Sequence, residues 1–553
     1  MAGIHGIGET RIMTGLAGDG QPGYAGENLE ESDKHIMKHP SQNTSIWNVF
    51  SSRPQRVLCL VALAFACLYD SPTAQADQLR AGVAKVDITN RDVPLVNDPL
   101  YAKALVIRNA STTVAIVTLD VVAIAEIGSI KNDYLANVRA EIEKTCGIKP
   151  HNVLINVSHC HGIVCADVEQ RTVQAVQAAM KTLVPVQAGT GTGHEDRIME
   201  NRRMKLTDGS EVDVRHAYSM PPDVQVAEVG PVDPQIGILR LDKQNGDTLA
   251  VVYNFACHPI QGVPNGGNTA DMTGFASRVI EDNLSEGTMA FFIQGCGGDI
   301  NPMKYKAVDY PRDAEPLGNL LGLSTLKALR NIKSQPGARL ALVNESLALP
   351  RADFAERIEA LQSKQRRLLK SLRGTNLNLK TFLPLVVKYN VSGDFPSYYS
   401  HSYMHEKQLG REHLSRLDTL NRANMESYRR NIYIMEQLTR IQVNLALMTK
   451  HQRNNIAAGT RVIDVEVVAL RIGDFVMVTF PGELTVQIGL GIKHRSPHKN
   501  TFVAGYTNGY IYYAPTAEQL RNLGAAQEDS ECVLAPEWQK IFETKVSELL
   551  KNI

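Results

Sequence analysis

Val153-Leu154-Ile155-Asn156-Val157-Ser158-His159-Cys160-His161-Gly162 opens as a largely apolar run and closes on two histidines one residue apart. A short apolar run of this kind reads as a strand buried on both faces. If the extended conformation continues past Val157, both imidazoles fall on one face and Cys160 on the other. Histidines presented at a strand end suit transition-metal binding and proton handling, although a structural, hydrogen-bonded pair has the same spacing.

Outward from this segment, similar runs alternate with helix-like stretches. Residues 102–108 and 113–119 are short β-branched runs, and residues 130–144 and 167–183 read as amphipathic helices. Residues 249–255, 272–284 and 290–293 repeat strand, helix and strand, and strand character returns over 462–470 and 475–480. This alternation predicts an α/β core with its chemistry in loops at strand ends. Residues 351–460 differ. Tyr428, Ile432, Met435, Leu438, Ile441, Leu445 and Met448 recur at helical spacing, which predicts an inward-facing core stripe. Ile358, Leu361, Leu368, Leu369 and Leu372 mark a second, more basic helix, with an aromatic loop containing Phe395, Tyr398 and Tyr399 between the two. The expectation is a helical insertion, 351–460, packed on the core and roofing the site.

The chain has 553 residues, 43% hydrophobic and 21% charged, with 58 basic and 58 acidic side chains. Such usage is that of a globular protein. Zero net charge leaves no basic footprint for nucleic acid, and it argues against strong electrostatic docking on anionic membranes, leaving at most weak membrane-surface contact. Near the N-terminus, the apolar run 57–68 follows Arg53 and Arg56 and precedes Ala74-Gln75-Ala76. A basic flank, short apolar core and small-x-small site read as a secretory signal peptide. The expected start is Met37, with cleavage after Ala76, which makes 1–76 an extension and 77–553 the catalytic domain of an exported (periplasmic or secreted) protein. The six cysteines beyond it are too scattered for a disulfide framework.

Other polar groups fall at strand ends. His258 closes Asn254-Phe255-Ala256-Cys257-His258-Pro259, where Pro259 forces the chain to leave the ladder. Glu483, in Thr479-Phe480-Pro481-Gly482-Glu483-Leu484-Thr485, follows a strand and is expected to cap or open a helix; a carboxylate there is also favoured simply by the helix dipole. Tyr510, Tyr512 and Tyr513 crowd a segment bounded by Gly and Pro. Two histidines, a glutamate and an oxygen donor make a four-ligand set suited to zinc. Gln294-Gly295-Cys296-Gly297-Gly298-Asp299-Ile300-Asn301-Pro302 follows a strand and reads either as an oxyanion cradle or as a tight turn. It is no P-loop, because no Lys-Ser/Thr follows the glycines.

In order and form these landmarks resemble the neutral/alkaline, non-lysosomal ceramidase family, whose motifs include T-H-T-H-S-G, N-R-S-P, A-x-H-P, G-D-V-S-P-N and P-G-E-F, then a Tyr-rich segment. Here they correspond to the stretches around His159, Asn201-Arg202-Arg203, His258, Gly298–Pro302, Glu483 and Tyr513. The resemblance implies a mixed-sheet α/β catalytic domain of neutral-ceramidase type with a helical insertion. It implies one zinc ion held by His159, His258, Glu483 and Tyr513, with water completing the shell. It also places His161 and Arg202 against the substrate or its developing oxyanion. Three departures bear on the substrate. Asn301 stands where the family has a serine, Ala525 where proven ceramidases have a tyrosine, and the chain ends at Ile553 without room for an immunoglobulin-like C-terminal domain.

The implied chemistry is hydrolysis of a linear amide, of the N-acylsphingosine amidohydrolase class in sphingolipid metabolism, by a zinc-activated water. His161 and Arg202 would steady the oxyanion or pass a proton to the leaving amine, and Asn301 could donate a hydrogen bond but not act as nucleophile. The partner is then a small-molecule or lipid amide. Two alternatives remain: a zinc hydrolase of the same fold acting on a non-lipid amide or ester, and an exported homologue that keeps the metal without turnover. A rival ligand set uses Cys160, Cys257 and Cys296, each adjacent or close to a site residue, but strand parity points Cys160 away from the histidines. A metallo-β-lactamase would need Asp-His at Ile163-Val164, and the later landmarks fit a TIM-barrel amidohydrolase less well.

Overall fold

The extended run at 153–157 forms a strand for the reason its composition gives: both of its faces are covered. In the computed structural model, which describes residues 78–214, 223–305, 307, 309–391, 400–522 and 526–553, it is an edge strand of an eight-stranded mixed sheet. These strands are β1 (Arg80–Asp87), β2 (Tyr101–Arg108), β3 (Thr113–Leu119), β4 (Val153–Val157), β5 (Val184–His194), β6 (Gln235–Lys243), β7 (Thr248–Phe255) and β8 (Met289–Gln294). Their spatial order is β8-β7-β6-β5-β1-β2-β3-β4. Pairs β3–β4 and β7–β8 are parallel, and the other pairs are antiparallel. The signal-peptide reading and the Met37 start lie outside the described residues, as do Phe395, Tyr398, Tyr399 and Ala525.

A second sheet packs on the first. It comprises β9 (Leu340–Pro350), β10 (Val462–Ile472), β11 (Phe475–Thr479) and β12 (Thr501–Ala504) in sequential order. Period-two geometry divides the apolar strands between two cores. Leu105, Ile107, Val114 and Ile116 meet Leu470, Met477 and Phe502 of the second sheet. The alternating residues Ala104, Val106, Ala115 and Val117 face helices α1 (Tyr134–Cys146) and α2 (Val168–Lys181) through Val138, Ile142, Val173 and Val176. Helices α3 (Asp271–Asp282) and α4 (Glu315–Leu329) cover Val251, Tyr253 and Phe255 of β7 in a third core. Two covered faces are what make these strands apolar along their whole length.

The insertion leaves and returns through a hairpin. Pro350 at the end of β9 is the register partner of Val462 at the start of β10, so the helices between them emerge at one point. They are α5 (Ala355–Ser371), α6 (Leu379–Val391), α7 (Ser400–Gln408) and α8 (His413–Ala457). Helices α9 (Val486–Arg495), α10 (Gln527–Ser530) and α11 (Trp538–Asn552) follow. The expected inward stripe on α8 holds only in its second half. Ile441, Leu445 and Met448 pack with Phe354 and Leu361, whereas Ile432 and Met435 are exposed and Ile434 is buried instead. The second half of α8 packs on α5, whereas the first half lies beside the shorter α6 and α7 through Phe382–Tyr428 and through Tyr389 and Tyr403 on Asp418.

Candidate metal centre

The loop after β4 is laced to the segment after β3. Ser158 N–H donates to Leu119 O at 2.9 Å, and His159 N–H donates to Val121 O at 3.0 Å. His159 takes a φ of 68°, a left-handed conformation uncommon for a residue with a Cβ and frequent at functional sites. The extended geometry expected for the H-x-H pair therefore stops before it. A turn, and not pleat alternation, brings the His159 and His161 rings to 5.7 Å edge to face. Cys160 still points away, into the core beneath α1 and α2.

His258 follows β7 and is anchored on the turn beyond β8, its backbone N–H donating to Ile300 O at 3.0 Å. Glu483 neither caps nor opens a helix. It lies in a two-residue strand, Glu483–Leu484, paired in parallel with Tyr513–Ala514, and α9 begins only at Val486. Two side-chain ties draw these elements together. Asn156 in β4 accepts from Gln294 N–H at the end of β8 at 2.9 Å and donates to Gly505 O at 2.8 Å.

The result is one buried cluster. His258 Nε2 lies 3.0 Å from Glu483 Oε2, and His159 Nε2 lies 3.6 Å from Glu483 Oε1. One ligand atom from each of the three residues falls within 4.8 Å of the others. Each imidazole is fixed from behind, His159 Nδ1 on Val122 O at 2.6 Å and His258 Nδ1 on Ile300 O at 3.0 Å. A ring nitrogen against a carbonyl must carry the hydrogen, so a neutral ring presents its Nε2 lone pair to the carboxylate. Acceptors facing acceptors in a buried space call for a cation between them, and this group could bind a metal ion. Tyr506 Oη donates to Glu483 Oε2 at 3.1 Å, and Tyr510 Oη donates to Oε1. Burial and then the Glu483 charge push both phenols well above their ordinary range, so they remain donors that orient the carboxylate.

Arg202 sits beside this cluster. The strand Met199–Asn201 pairs with Ile300–Pro302, which sets Arg202 against Asn301. All three guanidinium nitrogens donate: Nε to Glu528 Oε1 at 2.5 Å, Nη1 to Asn301 Oδ1 at 3.0 Å, and Nη2 to Gly298 O. Burial opposes its charge, but the fields of Glu528 and Tyr513 outweigh burial and hold its pKa well above the ordinary value. Its guanidinium carbon lies 5.6 Å from the centre of the Tyr513 ring. Asn301 is fully buried, with Nδ2 lacking a hydrogen-bond partner.

The glycine-rich turn is no oxyanion cradle. Gly295, Gly297 and Gly298 N–H groups are taken by Phe255 O, Gly295 O and Leu484 O. Glycine is needed at 298 because a Cβ there would come within 2.6 Å of Glu483 O; the turn is tight so that the Glu483 strand can lie against it. Cys160, Cys257 and Cys296 are buried, and burial raises each thiol well above its usual range, which disfavours the thiolate that metal binding needs. None belongs to the candidate metal group.

No protein-family model matches the sequence, and no curated protein matches it. Solved structures do. One is the neutral ceramidase from Pseudomonas aeruginosa, 15% identical with a TM-score of 0.53, the match covering 86% of this chain and 75% of that one. Another is a ceramidase complexed with C2, 13% identical with a TM-score of 0.53 and the same coverage. The likeness is one of fold. The mixed α/β architecture is thus that of the ceramidase structures, and the histidine–glutamate cluster is embedded in it.

Above the cluster is a chamber of about 250 Å³ lined by His159, His161, Arg202, His258, Glu483 and Tyr513. Six of the seven residues expected at the site therefore share one cavity. Asn301 is not among its lining residues and stands behind Arg202 as its partner. The chamber also takes in Ile127, Ile260, Tyr305, Tyr510 and Glu531. Sequence reading singled out Tyr510 without giving it a role, and it missed Tyr506, Glu528 and Glu531. Tyr506 and Glu528 act by holding Glu483 and Arg202, and no local spacing signals such a contact across the fold.

Proposed function

We propose that this chain is an exported zinc-dependent hydrolase that cleaves the amide bond of an N-acyl lipid or a related small amide, with 77–553 as its catalytic domain. The observation that carries this reading is the convergence of His159 Nε2, His258 Nε2 and the Glu483 carboxylate with both Nδ1 atoms anchored on carbonyls. Two imidazoles, a carboxylate and the neighbouring Tyr513 phenol are a donor set that zinc favours over harder cations. When bound, the ion would supply an activated water and a polarised carbonyl. The chain's own residues do the rest. Arg202, locked in place by Glu528, holds a fixed positive charge where an oxyanion develops, and His161 at the chamber wall is placed to carry a proton to the leaving amine. Asn301 acts by fixing the Arg202 guanidinium.

The ceramidase fold supports a lipid amide as substrate. The lining favours a second reading, a polar amide, because among the described residues Ile127 and Ile260 are the only aliphatic side chains beside His161, Arg202, Tyr305 and Glu531. The test is turnover of a panel of N-acyl lipids, polar N-acyl amides and esters before and after chelation. Amide cleavage that is lost with zinc and restored by it supports the proposal, and Glu483→Gln is expected to lower turnover roughly a thousandfold. Full activity in the metal-free protein would overturn it.

A further inference from the structure

The neutrality of this chain conceals a division. Residues 351–460 carry 18 Lys and Arg against 9 Asp and Glu, whereas the whole chain carries 58 of each. The insertion is strongly cationic and the remainder acidic.

Within the insertion, α6 turns an apolar face to solvent. Leu379, Leu383, Val387 and Val391 recur every fourth residue and are 58%, 52%, 60% and 73% exposed. Pro384 is exposed between them. The opposite face is the one that anchors the helix. Phe382 lies 4.8 Å from the Tyr428 ring, Tyr389 Oη donates to Asp418 at 2.5 Å, and the Arg422 guanidinium lies over the Tyr389 ring at 4.5 Å. A helix already fixed through one side has no folding use for an apolar stripe on the other, and such a stripe marks a contact surface. Exposed cations accompany it, Lys380 on α6 and Arg373 just before it. Helix α7, tied to α6 by Lys388 Nζ and Tyr403 Oη at 3.2 Å, adds exposed Met404 and Lys407.

We propose that α6 docks the protein on the surface of an anionic lipid membrane, with its apolar stripe in the interfacial layer and the surrounding Lys and Arg on the headgroups. A helix lying in the interface binds by this combination of buried apolar side chains and basic flanks. The 13 residues of α6 span about 20 Å, and no described helix is long and apolar enough to cross a membrane, so the element lies on the bilayer. Charge selects this occupant over a second copy of the chain, because pairing the stripes would bring two cationic insertions together. The stripe is also one side chain wide, far narrower than the roughly 800 Å² per partner of a stable interface. This inference stands on the surface alone and does not need the hydrolase reading.

The test is sedimentation of the full chain with vesicles of phosphatidylcholine alone or mixed with phosphatidylglycerol. The protein is expected to bind the mixed vesicles, to leave them as salt rises, and to ignore the neutral ones. Leu383→Ser with Val387→Ser should weaken binding about tenfold or more with unchanged helicity, and Lys380→Gln with Lys407→Gln should weaken it without touching the stripe. Glu483→Gln should bind like the wild type, which separates docking from catalysis. Equal binding to both vesicles, undiminished binding by both double variants, or a lipid-independent dimer dissolved by Leu383→Ser with Val387→Ser would overturn the proposal.

Discussion

The candidate metal centre and the insertion handle charge in opposite ways. Around the centre, Arg202 and Arg203 are buried and matched by Glu528 and Asp529, and each imidazole is tied to a backbone carbonyl. In the insertion the basic side chains outnumber acids and most stand in solvent beside apolar residues that no described residue covers. The first arrangement fixes positions within ångströms, as binding of one ion would require. The second fixes nothing within the chain and leaves its binding capacity outward. The contrast teaches that one neutral sequence can hold a closed electrostatic system and an open one.

The comparison breaks most readily at Glu528. Its two oxygens serve Arg202 and Arg203, so Glu528→Gln would leave buried guanidinium charge uncompensated. The expected loss is about 3–5 kcal/mol of stability in denaturant unfolding; a loss below about 1 kcal/mol would mean that water reaches the pair.

A second effect is pH-dependent. Burial, partly offset by Lys103, raises the Asp120 carboxyl to about 6 from its ordinary 3.8. Between these values the folded protein binds more protons than the unfolded chain, so stability falls as pH rises through that window and is level above it. The penalty at neutral pH is about 3 kcal/mol. Asp120→Asn, which keeps an oxygen for the Tyr101 N–H, should therefore gain Tm relative to wild type on going from pH 4 to pH 7. An unchanged difference would show that Asp120 is already solvated or fully paired. The smallest effect belongs to the insertion, where Leu383→Ser should shift folding stability by no more than about 0.5 kcal/mol. A larger loss would show that the α6 stripe is packed in the folded chain.

Much of this was legible in the sequence. Strands such as 113–119 and 153–157 coincide with the observed ones because continuous apolar runs arise where both faces are buried. The site histidines and Glu483 were legible because each ends an apolar run, and the fold then joins those ends. What failed were readings that extended a local rule beyond its element. Pleat parity ended at the left-handed His159, and the helical rule for Glu483 gave way to pairing with Tyr513, a partner 30 positions away. The α8 stripe faded beyond the stretch that packs against Phe354 and Leu361 at α5. Net charge says nothing of distribution for a related reason, since a sum over 553 residues hides a basic block of 110.

The central claim is that His159, His258 and Glu483 share one metal ion. Its most direct test is equilibrium dialysis of the purified chain against zinc, followed by metal analysis of wild type, His159→Ala and His258→Ala, with circular dichroism as a control for folding. The geometry predicts one tightly held ion per wild-type chain and loss of that ion in both variants with the fold intact. A wild-type protein that retains no zinc, or variants that retain as much as the wild type, would contradict it.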